Sequence, residues 1–197
     1  PNVWKSKLSL KVKLECTVHL TSNIVFPFIL LVAMLNIPLV IIKNEVGGFD
    51  KYFTLMSIFV LASISTFLFY LYAQRAIHLD WRRRLMLFPV FMAGSMGFAV
   101  NNTKAVFEAL FGKKSEFKRT PKYRIVESGD SWQKKKYVQR KIGGAVIIEL
   151  LFTLYFIFGI LTSIYYLEIS AIPFQLMFLA GFGTVGALSL RHALVGR

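Results

Sequence analysis

The sequence predicts an all-α membrane protein with four transmembrane helices, two cytoplasmic interfacial amphipathic helices and one long basic loop. Three observations predict it. The 197 residues are 55% hydrophobic, yet 24 Lys and Arg face only 10 Asp and Glu, for a net charge of +14. Such values coexist when uncharged runs that live in lipid alternate with basic connectors. Four stretches carry at most one charge over about 20 residues, enough at about 1.5 Å of rise each to cross about 30 Å of hydrocarbon. The basic residues fall between them: residues 1–20, 75–84 and 104–141 carry net +3, +3 and +8, while 43–51 is neutral. The composition argues against an ordinary soluble domain, disorder, a disulfide scaffold or a nucleic-acid-binding domain. Cys16 has no internal disulfide partner, and His19, His78 and His192 are too scattered for a metal cluster.

Taken in order, residues 1–20 read as an interfacial helix. Leu10, Leu14 and Val18 recur at helical spacing, with Lys7, Lys11 and Lys13 nearer water. Leu8, Leu10, Val12 and Leu14 also alternate as a strand would, but leading straight into a span favours the helix. Residues 21–42 and 52–74 are uncharged and read as the first two spans. Backbone groups in lipid must be satisfied within a segment, so spans are helices. The run 85–103 is also uncharged and 19 residues long. If it crossed, the most basic connector would lie opposite the others. If it does not, every basic connector and both termini fall on the cytoplasmic side. Residues 82–112 are therefore expected as a cytoplasmic interfacial helix, with spanning as the alternative. A basic loop, 113–141, follows. Residues 143–167, whose one charge is Glu149, and 169–190 complete the spans.

No catalytic set can be assembled. The acids stand singly, with no D-x-D, and no Ser/His/Asp or Cys/His set converges. Gly181-Phe182-Gly183-Thr184-Val185-Gly186 fits G-x-G-x-x-G, but inside a span it reads as helix packing rather than a dinucleotide fingerprint. The loop 113–141 interleaves cations with Phe117, Tyr123, Trp132 and Tyr137. Cations beside aromatic rings suit a ligand with both phosphate and a flat ring. On composition alone, a solvated loop whose charges only set topology is the favoured reading.

The stretch Phe117-Lys118-Arg119-Thr120-Pro121-Lys122, with Asn101-Asn102-Thr103 through Gly112 before it, carries more. It resembles membrane-embedded processive family 2 glycosyltransferases of the cellulose-synthase-like and mannan-synthase-like kind. In these an interface helix leads into a gating loop of pattern F-x-V-T-x-K. Phe117, Thr120 and Lys122 match it, and Arg119 stands where valine is usual, as in the mannan-synthase-like branch. The resemblance is sharp over residues 101–123 and elsewhere follows the order of spans.

The resemblance implies a glycosyltransferase fragment whose 113–141 loop closes over a nucleotide sugar. Lys122 would neutralise the diphosphate, Phe117 would pack on the base, Thr120 would donate a hydrogen bond and Arg119 would add a second cation. The donor would be UDP-glucose or GDP-mannose. The D-x-D, the general-base Asp and Q-x-x-R-W are absent from this chain. They would belong, with Mg2+ or Mn2+, to a catalytic domain before Pro1, so no catalytic or metal-binding residue is assigned here and no cofactor is expected in this chain. The growing polysaccharide would pass among the spans. Candidate channel-lining groups are Glu149, Tyr155 and Tyr70, with Phe67, Tyr72, Phe156, Tyr165 and Tyr166 also available; a lipid-facing role competes for each aromatic. Glu149, about 9 Å inside Gly143, has snorkelling or pairing with a basic residue as its alternatives.

The expected location is a bacterial inner or plasma membrane, multi-pass, with both termini cytoplasmic. Rival functions are a non-enzymatic multispanning protein whose basic loop binds anionic lipid or a partner, and a non-processive relative that glycosylates a lipid.

Overall fold

A computed structural model describes residues 2–113 and 142–195, and every element among them is helical. A short α1 (Asn2–Lys5) precedes α2 (Leu10–Thr21), which passes through a single 3-10 turn at Ser22–Ile24 into α3 (Val25–Glu45). Leu10–Glu45 thus forms one helix of 36 residues. At about 1.5 Å each it is longer than a bilayer's hydrocarbon, so its lysine-bearing first turns extend beyond it. No Gly or Pro interrupts the chain between Leu10 and Phe26, which is why helix formation continues where the sequence alone gave a separate 1–20 element.

The run expected to span at 52–74 is helical but divided. It comprises α4 (Asp50–Met56), a 3-10 turn at Ser57–Phe59 and α5 (Val60–Ile77). The stretch expected as one helix over 82–112 is three: α6 (Trp81–Met86), α7 (Phe88–Gly97) and α8 (Ala99–Leu110). Trp81–Gly97 acts as one rod and meets α8 at a 45° bend. The last two spans are α9 (Gly144–Tyr165) and, after a 3-10 turn at Ile169–Ala171, α10 (Ile172–Val195). Among the described residues three helices are long and apolar enough to cross a membrane: Leu10–Glu45, Gly144–Tyr165 and Ile169–Leu194. The bent 81–110 pair would make a fourth. The described residues are all-helical, and three of their helices have the length and apolar character of a membrane protein.

Lipid gives apolar side chains little reason to leave it, so the helices associate by close packing. On α9, Phe152 and Phe156 are one turn apart, and on α10 so are Phe178 and Phe182. The four rings stack, with Phe156 on Phe178 and Phe152 on Phe182 both at 4.8 Å between centroids. Ala33 of α3 and Met96 and Val100 from α7 and α8 close the core around them.

The tightest approach joins α7 to α10. A Cβ on Gly181 would sit 2.2 Å from the Ala93 carbonyl oxygen, and one on Gly97 2.5 Å from the Gly181 carbonyl oxygen. Gly183 and Gly186 instead face α9, at Thr153 and at Glu149 and Leu150. The G-x-G-x-x-G glycines therefore serve two helix contacts.

Pro38 lies inside α3 and cannot donate to the carbonyl of Met34, four residues earlier. The Tyr155 hydroxyl of α9 donates to that oxygen at 2.6 Å. A neighbouring helix thereby satisfies the backbone group that proline leaves over. At the far end of α3, Lys43 pairs with Glu168 at 2.7 Å and Tyr166 donates to Glu45, tying this end to the α9–α10 turn.

Candidate functional site

Residues Phe117, Arg119, Thr120 and Lys122 lie outside the described residues. What is described is how both ends of the 113–141 segment are held. Gly112, at φ +68°, ends α8. The Lys113 N–H donates to the Glu108 carbonyl and the Gly112 N–H to that of Ala109, at 2.9 and 3.1 Å. This closure needs a residue in the left-handed region, which glycine adopts without steric cost. On the other side α9 starts at Gly144.

About three turns back along α8 and one and a half turns into α9, the two helices are joined. The Asn101 side-chain amide of α8 donates to Oε1 of Glu149 on α9 at 3.0 Å. Glu149 is fully buried, its Cβ lies 3.3 Å from where a Cβ on Gly186 of α10 would stand, and Thr153 donates to its carbonyl at 2.8 Å. Three helices therefore pack around this one residue. Its Oε2 has no hydrogen-bond partner among the described residues, nor has the buried Oγ1 of Thr103 on α8. Glu149 was expected to line a channel, snorkel or meet a basic residue. It instead meets an amide 48 positions away, in a closed contact. Because polar groups inside a membrane are costly, this contact fixes the two helices that carry the loop.

The other predicted residues do not gather at one surface. Tyr155 spends its hydroxyl on Met34. Tyr70 packs on Phe88 and Phe91, and its hydroxyl reaches the Arg84 carbonyl at 3.4 Å, so it closes the α5–α6 hairpin. Phe156 is a core residue with no exposure. Phe67 packs edge-on against Phe88. Tyr72, Tyr165 and Tyr166 remain at helix surfaces or ends.

Two polar groupings were missed. Asn23 and Asn102 line a groove of about 340 Å³ between α8 and the end of α2 with its 3-10 turn, together with Ala105 and Val106. The signal was present as an amide in each of two otherwise uncharged runs. In the interior, Gln175 of α10 is fully buried and donates to Asn36 of α3 at 2.8 Å; its Oε1 and the buried Ser163 hydroxyl are unpartnered among the described residues. No group of three or more metal-ligating side chains is found among the described residues.

The Asn101–Glu149 contact makes a specific prediction. Glu149→Gln keeps the shape and the acceptor, and its thermal unfolding in detergent is expected to match the unaltered protein. Glu149→Ala leaves a cavity and an unpaired amide, and is expected to cost about 2–4 kcal/mol. Equal melting of both variants would show that the contact carries no weight.

No family model, curated protein or solved structure matches the chain.

Proposed function

We propose that this chain is the channel and gating-loop portion of a processive β-glycosyltransferase. It acts with a catalytic domain that precedes it, and that domain holds Mg2+ or Mn2+. The enzyme polymerises UDP-glucose or GDP-mannose and moves the polysaccharide across the membrane. The observation that carries the proposal is the motif Phe117-Lys118-Arg119-Thr120-Pro121-Lys122, set between two helices locked together by Asn101 and Glu149. Both helices that flank this segment are joined by that contact. Closure of the loop over a donor excludes water and strengthens the contacts of Lys122 and Arg119 to phosphate. The Asn23 and Asn102 groove offers amides to a hydroxyl-rich chain. The membrane is a bacterial inner or plasma membrane, with both termini cytoplasmic.

The test is sugar transfer by the full-length protein in membranes. Labelled UDP-glucose or GDP-mannose is expected to enter a high-molecular-weight product, and scrambling 113–141 at constant composition is expected to abolish incorporation. Single-sugar lipid products would instead identify a non-processive relative. Absence of any transfer, with a loop that tolerates scrambling and binds anionic vesicles in a salt-sensitive way, would identify a non-enzymatic protein.

A further inference from the structure

Along the outside of the bundle, α7 and α10 enclose a cleft of about 440 Å³, within the range of ligand sites. Its walls are apolar, among them Pro89, Val90 and Gly94 on one side and Leu176, Ala180 and Leu188 on the other. The Gly181 contact sets its depth, because the two backbones touch there and leave the flanking space unfilled. A Cβ at Gly94 would meet nothing within 4 Å. The cleft flanks α10, one of the helices apolar and long enough to cross a membrane, and its apolar lining suits an acyl chain.

The same rod carries charge beyond the cleft. Arg82 falls one stripe with Pro89 and Ala93, and Arg83 with Val90 and Gly94, at helical spacings of seven and eleven. About 10 Å of rise separates each arginine from the residue seven places on. Arg84 is engaged by Asp80 at 2.9 Å, and that hydrogen bond holds the Asp80 carboxyl below its ordinary range. Arg82 and Arg83 are exposed, and neither has an acidic partner among the described residues. The Arg82 guanidinium lies 5.3 Å from the ring centre of Trp81, a residue type that settles at membrane interfaces.

From this placement we propose a binding site for an anionic glycerophospholipid: its phosphate at Arg82 and Arg83, an acyl chain in the α7–α10 cleft. The site needs the chain to be in a membrane and is independent of the transferase proposal. Two guanidinium groups recognise the headgroup by charge, and the cleft adds shape that a bare basic patch lacks.

The experiment is reconstitution of the full-length protein into vesicles of phosphatidylcholine mixed with phosphatidylglycerol. The lipid retained after mild detergent extraction is then measured by mass spectrometry. The protein is expected to retain phosphatidylglycerol in preference. The paired Arg82→Ala and Arg83→Ala replacements are expected to lower that preference by about thirtyfold, on about 1 kcal/mol per charge. Gly94→Leu fills the open space, favours helix, and is expected to melt no lower while retaining less of either lipid. Replacing Lys51 and Arg191 with alanine removes the same charge elsewhere and is expected to leave the preference intact. The proposal is overturned if that control lowers the preference equally. It is also overturned if the arginine pair changes nothing, or if Gly94→Leu retains as much lipid as the unaltered protein. Sugar transfer plays no part in these readouts, so the transferase proposal can fail without affecting them.

Discussion

Gly181→Ala is expected to push α7 off α10 and to destabilise the protein by about 3 kcal/mol, the upper part of the range for overpacking. The new Cβ would stand 2.2 Å from the Ala93 carbonyl oxygen and 2.8 Å from the Gly97 nitrogen. Both are backbone atoms of a helix, so no side chain can swing away to make room. Relief requires the whole of α7 to retreat, which also loosens Met96 from Phe156, Phe178 and Phe182. In lipid that loss is not offset by any hydrophobic force between helices. Gly183→Ala is the control. Its Cβ would lie 3.5 Å from the Thr153 methyl, an ordinary contact, and alanine favours helix over glycine. Thermal unfolding of both variants in detergent distinguishes crowding from a general intolerance of side chains in α10. Equal melting of the two would remove the Gly97–Gly181 contact from any account of the fold.

On the transferase proposal, Lys122→Ala in the full-length protein is expected to reduce sugar transfer by about a hundredfold to a thousandfold, with melting unchanged. Those are the losses found when one preorganised group that stabilises developing charge is deleted. The expectation follows from the proposed role of the ammonium group at the donor's diphosphate, where charge builds as the sugar departs. Lys122→Arg keeps the charge with a different reach and is expected to recover part of the rate. Scoring turnover at saturating donor separates this role from simple donor affinity, which would move KM alone. Unchanged turnover would defeat the assignment of Lys122 to the donor site.

How far the sequence carried the fold depended on the range of the interaction. The last two spans, expected at 143–167 and 169–190, correspond closely to α9 and α10, because charge-free length is a local property. The break of 82–112 into three helices was harder to see. Pro89 at the start of α7 and Gly97 before the bend at Phe98 mark both breaks, but an amphipathic pattern over 99–110 hides them. The partners of the buried polar groups could not be read at all. Glu149 was singled out as the one charge within a span, and nothing local says that Asn101 will meet it. Gln175 and Asn36, 139 positions apart, carry no local signal, because each is a lone amide among apolar neighbours. As for the candidate site, the motif at 117–122 was legible as a string of residues, while the lock that holds its flanking helices belongs to tertiary structure.

The pairing of Pro38 with the Tyr155 hydroxyl restricts how this protein can evolve. Phenylalanine at 155 is harmless only in a background where residue 38 can donate its own N–H to the Met34 carbonyl. Conversely, once a donor is restored at 38, the phenol loses its backbone partner and position 155 is released to drift. The two sites form an epistatic pair across α3 and α9: the order in which they change decides whether the intermediate sequence leaves a bare carbonyl in lipid, and lineages that lose the proline should shed the tyrosine afterwards rather than before.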